Sequence, residues 1–351
     1  MTAALRVVAP GLMTTVQDLG RPGYQHLGVP VSGALDHVSL RAANLLVGNP
    51  PGMGALEVAY RGPTLAVEAD SVRIAVAGGQ APIDIVSPDG AGARRLGVCE
   101  SARLLRGQTL KIGAPSGSAI LYLAVEGGFD IAAVMGSQST LTRGGIGGFE
   151  GRALRAGDVL PVRQQAAVER EEAMLPTLDL APPSRIRVVL GPQDDHFTAA
   201  GLRTLLESTY TVSRASDRMG MRLDGPTLEH SGRGANIISD GTAPGSIQVP
   251  GNGLPIVLLA DRQTTGGYPK VATVISADMP ALGRMTPGSK VSFAAVDIAA
   301  AEAAALRLAA DIAAMAARIV PARRGPAIDP TKLMGENLIS GTVDAREGGP
   351  V

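Results

Sequence analysis

Short apolar runs alternate with Gly-, Pro-, Asp- and Ser-rich corners through much of the chain. Leu5–Ala9, Val72–Ala77, Ile83–Val86, Thr109–Ile112, Ala119–Val125 and Val159–Val162 read as strands. Strands this close together, without a helix between most of them, favour a barrel or sandwich over a parallel α/β sheet. One early segment has helical spacing. Leu35, Val38, Leu40, Ala42, Leu45 and Leu46 recur at helical spacing, Ser32 or Asp36 is placed to cap it, and Gly48, Pro50 and Pro51 supply the stop. The charged run Glu169–Glu172 with Pro176, Pro182 and Pro183 then reads as a boundary. Beyond it come a strand at Arg185–Leu190 and a helix capped by Asp194 or Asp195, carrying Phe197, Leu202, Leu205 and Leu206. Strands follow at Ser246–Val249, Pro255–Ala260, Val271–Ile275 and Lys290–Phe293, and an Ala-rich helix runs from about Asp297 to Ile319.

This pattern predicts a mainly β chain with short helices and four regions. A first barrel-like unit covers 1–165, a linker 166–184, a second barrel-like unit with the Ala-rich helix 185–322, and a draped or mobile tail 323–351. The two units share sequence features. Ala119–Phe129 parallels Pro255–Ala260 followed by Gly266-Gly-Tyr268, and Ala156–Val162 parallels Pro287–Phe293 in the same order. Duplication of one unit explains both matches, and two such units facing each other would leave a cleft.

Composition narrows the possibilities. Lys plus Arg and Asp plus Glu each number 32, so no net field attracts nucleic acid or an anionic membrane. Aromatic residues make up 3% of the chain, too few for base-stacking platforms. Cys99 is the one cysteine, which excludes an internal disulfide, and its strand-like setting reads as a small buried hydrophobe. No signal peptide is evident at the N-terminus, and charged residues interrupt the longest apolar tract. A cytoplasmic protein with neither membrane nor nucleic-acid partners is expected. The phosphate-loop, dinucleotide, nucleophile-elbow and HExxH signatures do not occur. The four histidines (26, 37, 196 and 230) are too scattered to suggest a metal site.

Chemistry then rests on four polar, Gly-rich segments. In Thr15–Asp36, the residues Asp18, Arg21 and Tyr24 gather hydrogen-bonding groups among turns and form one wall of a candidate substrate site; alternatively, Asp18 and Arg21 pair to brace the loop. In Gly136–Gly148, Arg143 with the amides of Gly144 and Gly145 forms a candidate anion or nucleotide nest, or a simple corner. Arg214, Arg218 and Arg222 recur every four residues; Arg218 or Arg222 is a candidate for holding anionic charge, or the set is solvated or internally paired. The densest stretch, Ser239–Lys270, holds Gln248 and Lys270 as candidate substrate contacts, Lys270 for a carboxylate. It also supplies the candidate catalytic group: Asp261 to orient an amide or act as base, and Gln263 and Thr264 as donors to a developing oxyanion; the alternative is a purely structural turn.

TVQDLGRPGYQHLGVPVSGALD, GSQSTLTRGGIGGFEGR, RMGMRLDG, SDGTAPGSIQVPGNGLPIVLLADRQTTGGYPK and ENLISGTVDA together resemble the biotin-dependent carboxyltransferase subdomain A/B family. Its members are called 5-oxoprolinase C subunits, KipA-like proteins or the second component of allophanate hydrolase, and the likeness spans about Leu5 to Ala345. It implies two cyclophilin-like β-barrel subdomains and a composite site shared with a KipI-like B subunit. In the lactam-opening branch, where a 5-oxoprolinase A-like protein also takes part, it implies ATP-dependent conversion of 5-oxo-L-proline to L-glutamate. The DRQTTGGYP segment is similar to that stand-alone branch, and no biotin-attachment segment occurs. Two alternatives remain: a urea carboxylase-like carboxyltransferase component using biotin, and a KipA-like regulator that binds a KipI-like kinase inhibitor.

Overall fold

The computed structural model describes residues 3–89 and 92–322; the expected tail at 323–351 and its ENLISGTVDA segment lie outside them. The chain is mainly β. In the first half, two antiparallel sheets stack face to face. One runs in the order Val159–Pro161, Ala4–Ala9, Thr64–Val67, Thr109–Ile112, Ile83–Val86, Ala93–Arg95. The other runs Met13–Gln17, Ala55–Ala59, Ser116–Val125, Ser71–Gln80, Ser101–Leu105.

Two strands of the second sheet show why an apolar run can be continuous. In Ser116–Val125, Leu121, Leu123 and Val125 face the sheet-to-sheet core, whereas Ile120, Tyr122 and Ala124 face the opposite way. That outer face is covered by helix α1 (His37–Leu46), so both sides of the strand leave water. Ala75 and Ala77 of the neighbouring strand are small where α1 approaches. Of the two residues the sequence offers, Asp36 caps α1, its carboxylate accepting from the Val38 and Ser39 amides at 3.0 and 3.2 Å.

The second half curls into a single eight-stranded sheet. Its order is Lys290–Val291, Tyr210–Val212, Gly220–Asp224, Ile256–Leu258, Ser246–Gln248, Lys270–Val274, Ile186–Leu190, Phe293–Ala295. The two end strands are separated only by Ser292 in the chain, so the sheet returns on itself as a nearly closed barrel. The single strand expected at Lys290–Phe293 is therefore two pieces on opposite sides of that closure. The helix expected after Asp194 or Asp195 also differs. Those residues form a short 3-10 turn, Phe197 is extended and buried, and helix α2 (Ala199–Glu207) is capped by Thr198, whose hydroxyl accepts from the Gly201 amide at 3.0 Å. Burying Phe197 in the barrel core breaks the helical path that the polar pattern suggested.

Helix α3 (Met279–Arg284) sits against the first half. A Cβ on Gly283 would stand 2.5 Å from the Leu35 carbonyl oxygen, a closeness only glycine permits. Helix α4 (Ile298–Ala313), capped by Asp297, ends earlier than the Ala-rich pattern indicates; the Ala316–Arg318 turn follows it. Its Leu308 and Ile312, together with buried Met315, join α1 in a third core cluster. Among the described residues, no helix is long and apolar enough to cross a membrane.

Candidate functional site

The strand Ile256–Leu258 continues past its regular end: the Leu259 and Asp261 amides donate to the Met219 and Arg218 carbonyls, each at 2.9 Å. That pairing brings Arg218 and Asp261 side by side. Arg218 Nε and Nη2 donate to the two Asp261 carboxylate oxygens at 2.8 and 3.1 Å. The same guanidinium crosses to the first half, donating through Nη1 to Glu57 and through Nη2 to the Gly33 carbonyl at 2.7 Å. Glu57 in turn accepts from the Tyr122 hydroxyl and the Leu35 amide, Tyr122 accepts from the Asp36 amide, and Asp36 accepts from Arg284 Nη1 at 2.8 Å.

A hydrogen-bonded chain of buried charges thus runs along the seam between the halves. Burial works against the charge on Arg218, but Glu57 and Asp261 outweigh it and hold the guanidinium protonated more firmly than an ordinary arginine. Burial, reinforced by Glu57 and Asp36, keeps Tyr122 a neutral phenol. Above Arg218 opens a cavity of about 340 Å³ with walls that include Leu12, Met13, Tyr60, Met221 and Met285. Of its polar lining groups, Glu57 and Arg218 are engaged in the seam, while Asp217 accepts from the Met219 and Gly220 amides.

A smaller pocket, about 200 Å³, has a larger share of polar side chains in its lining than that cavity. Arg143 reaches it from the first half; Asp217, Arg222, Gln248, Gln263 and Tyr268 come from the second, with Met219, Ile256 and Leu258 as its apolar surface. Arg143 Nη2 stands 3.5 Å from Asp217 Oδ2, while Asp217 Oδ1 accepts from the Met219 and Gly220 amides. Arg222 is exposed on its strand. The two glutamines form a relay: Gln248 Nε2 donates to the Tyr268 carbonyl at 3.4 Å, and Gln263 Nε2 donates to Gln248 Oε1 at 3.0 Å. Gly266 packs against this pair; a Cβ there would lie 2.5 Å from Gln248 Nε2.

The structure therefore gathers four of the residues singled out in the sequence, Arg143, Arg222, Gln248 and Gln263, around one pocket. The others lie elsewhere. Asp261 pairs with Arg218 in the seam and lines neither cavity. Thr264 offers its backbone carbonyl to the Thr242 amide at 3.0 Å. Lys270 is buried, and its ammonium donates to Asp240 at 2.6 Å and to the Gly241 carbonyl at 3.0 Å. Asp18 accepts from the Gly20 and Gln138 amides and from the Ser137 and Ser139 hydroxyls, clasping two loops together. Arg21 does not pair with Asp18. It is fully buried, donates to the Ser139 carbonyl, and leaves Nε and Nη1 without partners among the described residues. Burial lowers its pKa, while Asp18 and Asp261 act in the opposite sense. The Tyr24 carbonyl closes a turn onto the Leu27 and Val29 amides. The Gly144 and Gly145 amides donate to the Leu141 and Thr142 carbonyls, so the loop presents Arg143 instead of an open backbone nest.

The sequence pattern does not reveal Glu57 and Tyr122, because each sits inside an apolar strand where a single polar residue reads as solvent-facing. Arg262 is likewise hidden between Asp261 and Gln263. It is 2% exposed, its Nε has no partner among the described residues, and burial lowers its pKa. Among the described residues, no three His, Cys, Asp or Glu side chains gather as a metal site.

Comparison with known proteins places this geometry in a family. Residues 27–295 match the model described as carboxyltransferase domain, subdomain A and B. The chain is 40% identical over 292 residues to the C subunit of 5-oxoprolinase from Escherichia coli (strain K12), covering 82% of this chain and 90% of that protein. It is 37% identical over 295 residues to the C subunit of 5-oxoprolinase from Haemophilus influenzae, covering 84% and 91%. Among solved structures, the K. lactis urea amidolyase matches with a TM-score of 0.79 at 28% identity, over 93% of this chain and 21% of that one. This chain belongs to the family of carboxyltransferase domains, subdomain A and B.

Proposed function

We propose that the chain is the C subunit of an ATP-dependent 5-oxoprolinase-type lactamase. With a KipI-like B subunit, joined by a 5-oxoprolinase A-like protein, it opens 5-oxo-L-proline to L-glutamate in the cytoplasm. The observation that carries this reading is the match to two proteins named as C subunits of 5-oxoprolinase, each along about nine-tenths of its length. Opening an unstrained lactam requires a better leaving group on its carbonyl carbon. Phosphorylation of the carbonyl oxygen by ATP supplies one, releasing ADP; water attacks the carbon and the ring C–N bond breaks to give an acyl phosphate, which a second water cleaves to the carboxylate and phosphate.

The residues present favour substrate binding over phosphate binding. Because the Gly144 and Gly145 amides already donate within their loop, this chain offers no backbone phosphate cradle there, and we assign the nucleotide to the partner proteins. The polar pocket spanning Arg143 and Gln263 is this chain's contribution to the shared site. The test is ATP-dependent 5-oxoproline hydrolysis by the reconstituted complex. Activity is expected only when this chain is included; undiminished hydrolysis without it overturns the assignment.

The likeness to urea amidolyase supports a second reading, a carboxyltransferase component that takes a carboxyl group from carboxybiotin. That reading requires the chain to support carboxylation of an amide by carboxybiotin without ATP.

A further inference from the structure

The polarity of the Gln248–Gln263 relay is set from one end. The Tyr268 carbonyl is purely an acceptor, so the Gln248 amide nitrogen must face it, which turns Gln248 Oε1 toward Gln263. Gln263 must then present its own nitrogen to Gln248. One Nε2 hydrogen of Gln263 is thereby held, while its Oε1 and its other Nε2 hydrogen have no partner among the described residues. A side-by-side acceptor and donor in one plane complements a particular chemical edge, an N–H and a C=O on the same side of an amide. Open-chain amides are trans and point these two groups in opposite directions. A five- or six-membered lactam is locked cis and presents them together.

The geometry points to Gln263 as the reader of a cis-amide, pairing through two hydrogen bonds with the N–H and C=O of a small lactam, while Arg143 and Arg222 hold a carboxylate on the same ring. This inference rests on the lactamase reading above and names how the pocket selects its substrate. Size and charge agree with it. The pocket is about 200 Å³, room for a single small ring and not for a peptide, and its side chains carry two guanidinium groups against one carboxylate, Asp217. Asp217 is itself engaged by two backbone amides and faces Arg143, which leaves Arg222 without an anion among the described residues. Gln248 is 2% exposed, so it acts through Gln263 as a positioning residue.

Binding of three probes to the full chain assembled with its partner proteins tests this directly. The probes are 5-oxo-L-proline, 2-pyrrolidone (the lactam without a carboxylate) and N-acetylglycine (a carboxylate on a trans amide). Wild type is expected to bind 5-oxo-L-proline tightest and N-acetylglycine about a hundredfold more weakly, because a site built for hydrogen bonding rejects a ligand that leaves its groups unpaired. Gln263→Met, nearly isosteric, is expected to weaken both lactams together. Arg222→Gln, which leaves Arg143 in place, is expected to weaken 5-oxo-L-proline toward the level of 2-pyrrolidone and leave 2-pyrrolidone unchanged. Equal binding of N-acetylglycine and 5-oxo-L-proline, or unchanged lactam binding in folded Gln263→Met, overturns the inference. The two readings fail separately. ATP-dependent hydrolysis with an unaltered KM in Gln263→Met removes only the cis-amide reader, whereas a complex that opens no 5-oxoproline removes the function and leaves the binding comparison to stand by itself.

Discussion

His37 begins helix α1 beside its Asp36 cap, and Arg41 Nη1 lies 2.7 Å from its Nδ1. An arginine only donates, so that ring nitrogen accepts and the imidazole is neutral. Burial, with the Arg41 charge added, lowers the His37 pKa below 6.5, and Asp36 opposes this only in part. The unfolded chain then takes up this proton more readily than the folded one. The associated stability is present above the unfolded value and is lost as pH falls from about 6.5 through the folded value. Melting temperature is expected to drop on acidification across that window, with a shallower drop in His37→Gln; identical slopes in the two proteins remove His37 as the cause. The proton-binding character of this residue follows from its tertiary setting. Sequence places a histidine after a helix cap, but burial and the neighbouring guanidinium decide its charge.

At the scale of elements, the loop Gly136–Gly148 shows how far glycine content can mislead about purpose. Its richness suggests an anion nest, yet Gly147 serves close packing. At φ +67°, a Cβ there would overlap the Ser139 carbonyl oxygen and stand 2.6 Å from Arg21 Nη2. Gly147→Ala is therefore expected to destabilise the protein by about 1–3 kcal/mol in urea unfolding and to displace Arg143 from the pocket. A variant as stable and active as wild type contradicts that role. Strand identities were legible where the apolar run had one cause: Ile83–Val86 and Thr109–Ile112 form as read. The break at Ser292 and the switch of cap from Asp194 or Asp195 to Thr198 were not legible, because barrel closure and burial of Phe197 set them.

Across the whole molecule, the two halves are held by the third hydrophobic cluster and by the charge chain through Asp261, Arg218, Glu57, Tyr122, Asp36 and Arg284. Truncating one member leaves buried partners uncompensated, typically at a cost of about 3–5 kcal/mol. Arg218→Met strands both Glu57 and Asp261, so calorimetry is expected to show one wild-type transition replaced by two, or by one broadened and lowered. An unchanged transition indicates that the apolar cluster alone couples the halves.

What short range controls is written in the amino-acid pattern: the strand and helix periodicities, the choice of Ser32 or Asp36 as cap, and which polar segments are dense enough for chemistry. It brought Arg143, Arg222, Gln248 and Gln263 into consideration without indicating that they meet. Long-range packing sets the rest: those four share a pocket, while Asp261 and Arg218 join the seam instead. Arg218 and Glu57 are 161 residues apart in the chain, and no local pattern encodes such a pairing. Hydrophobic alternation selects the face a side chain points from; sheet closure and the docking of one half on the other select what it meets.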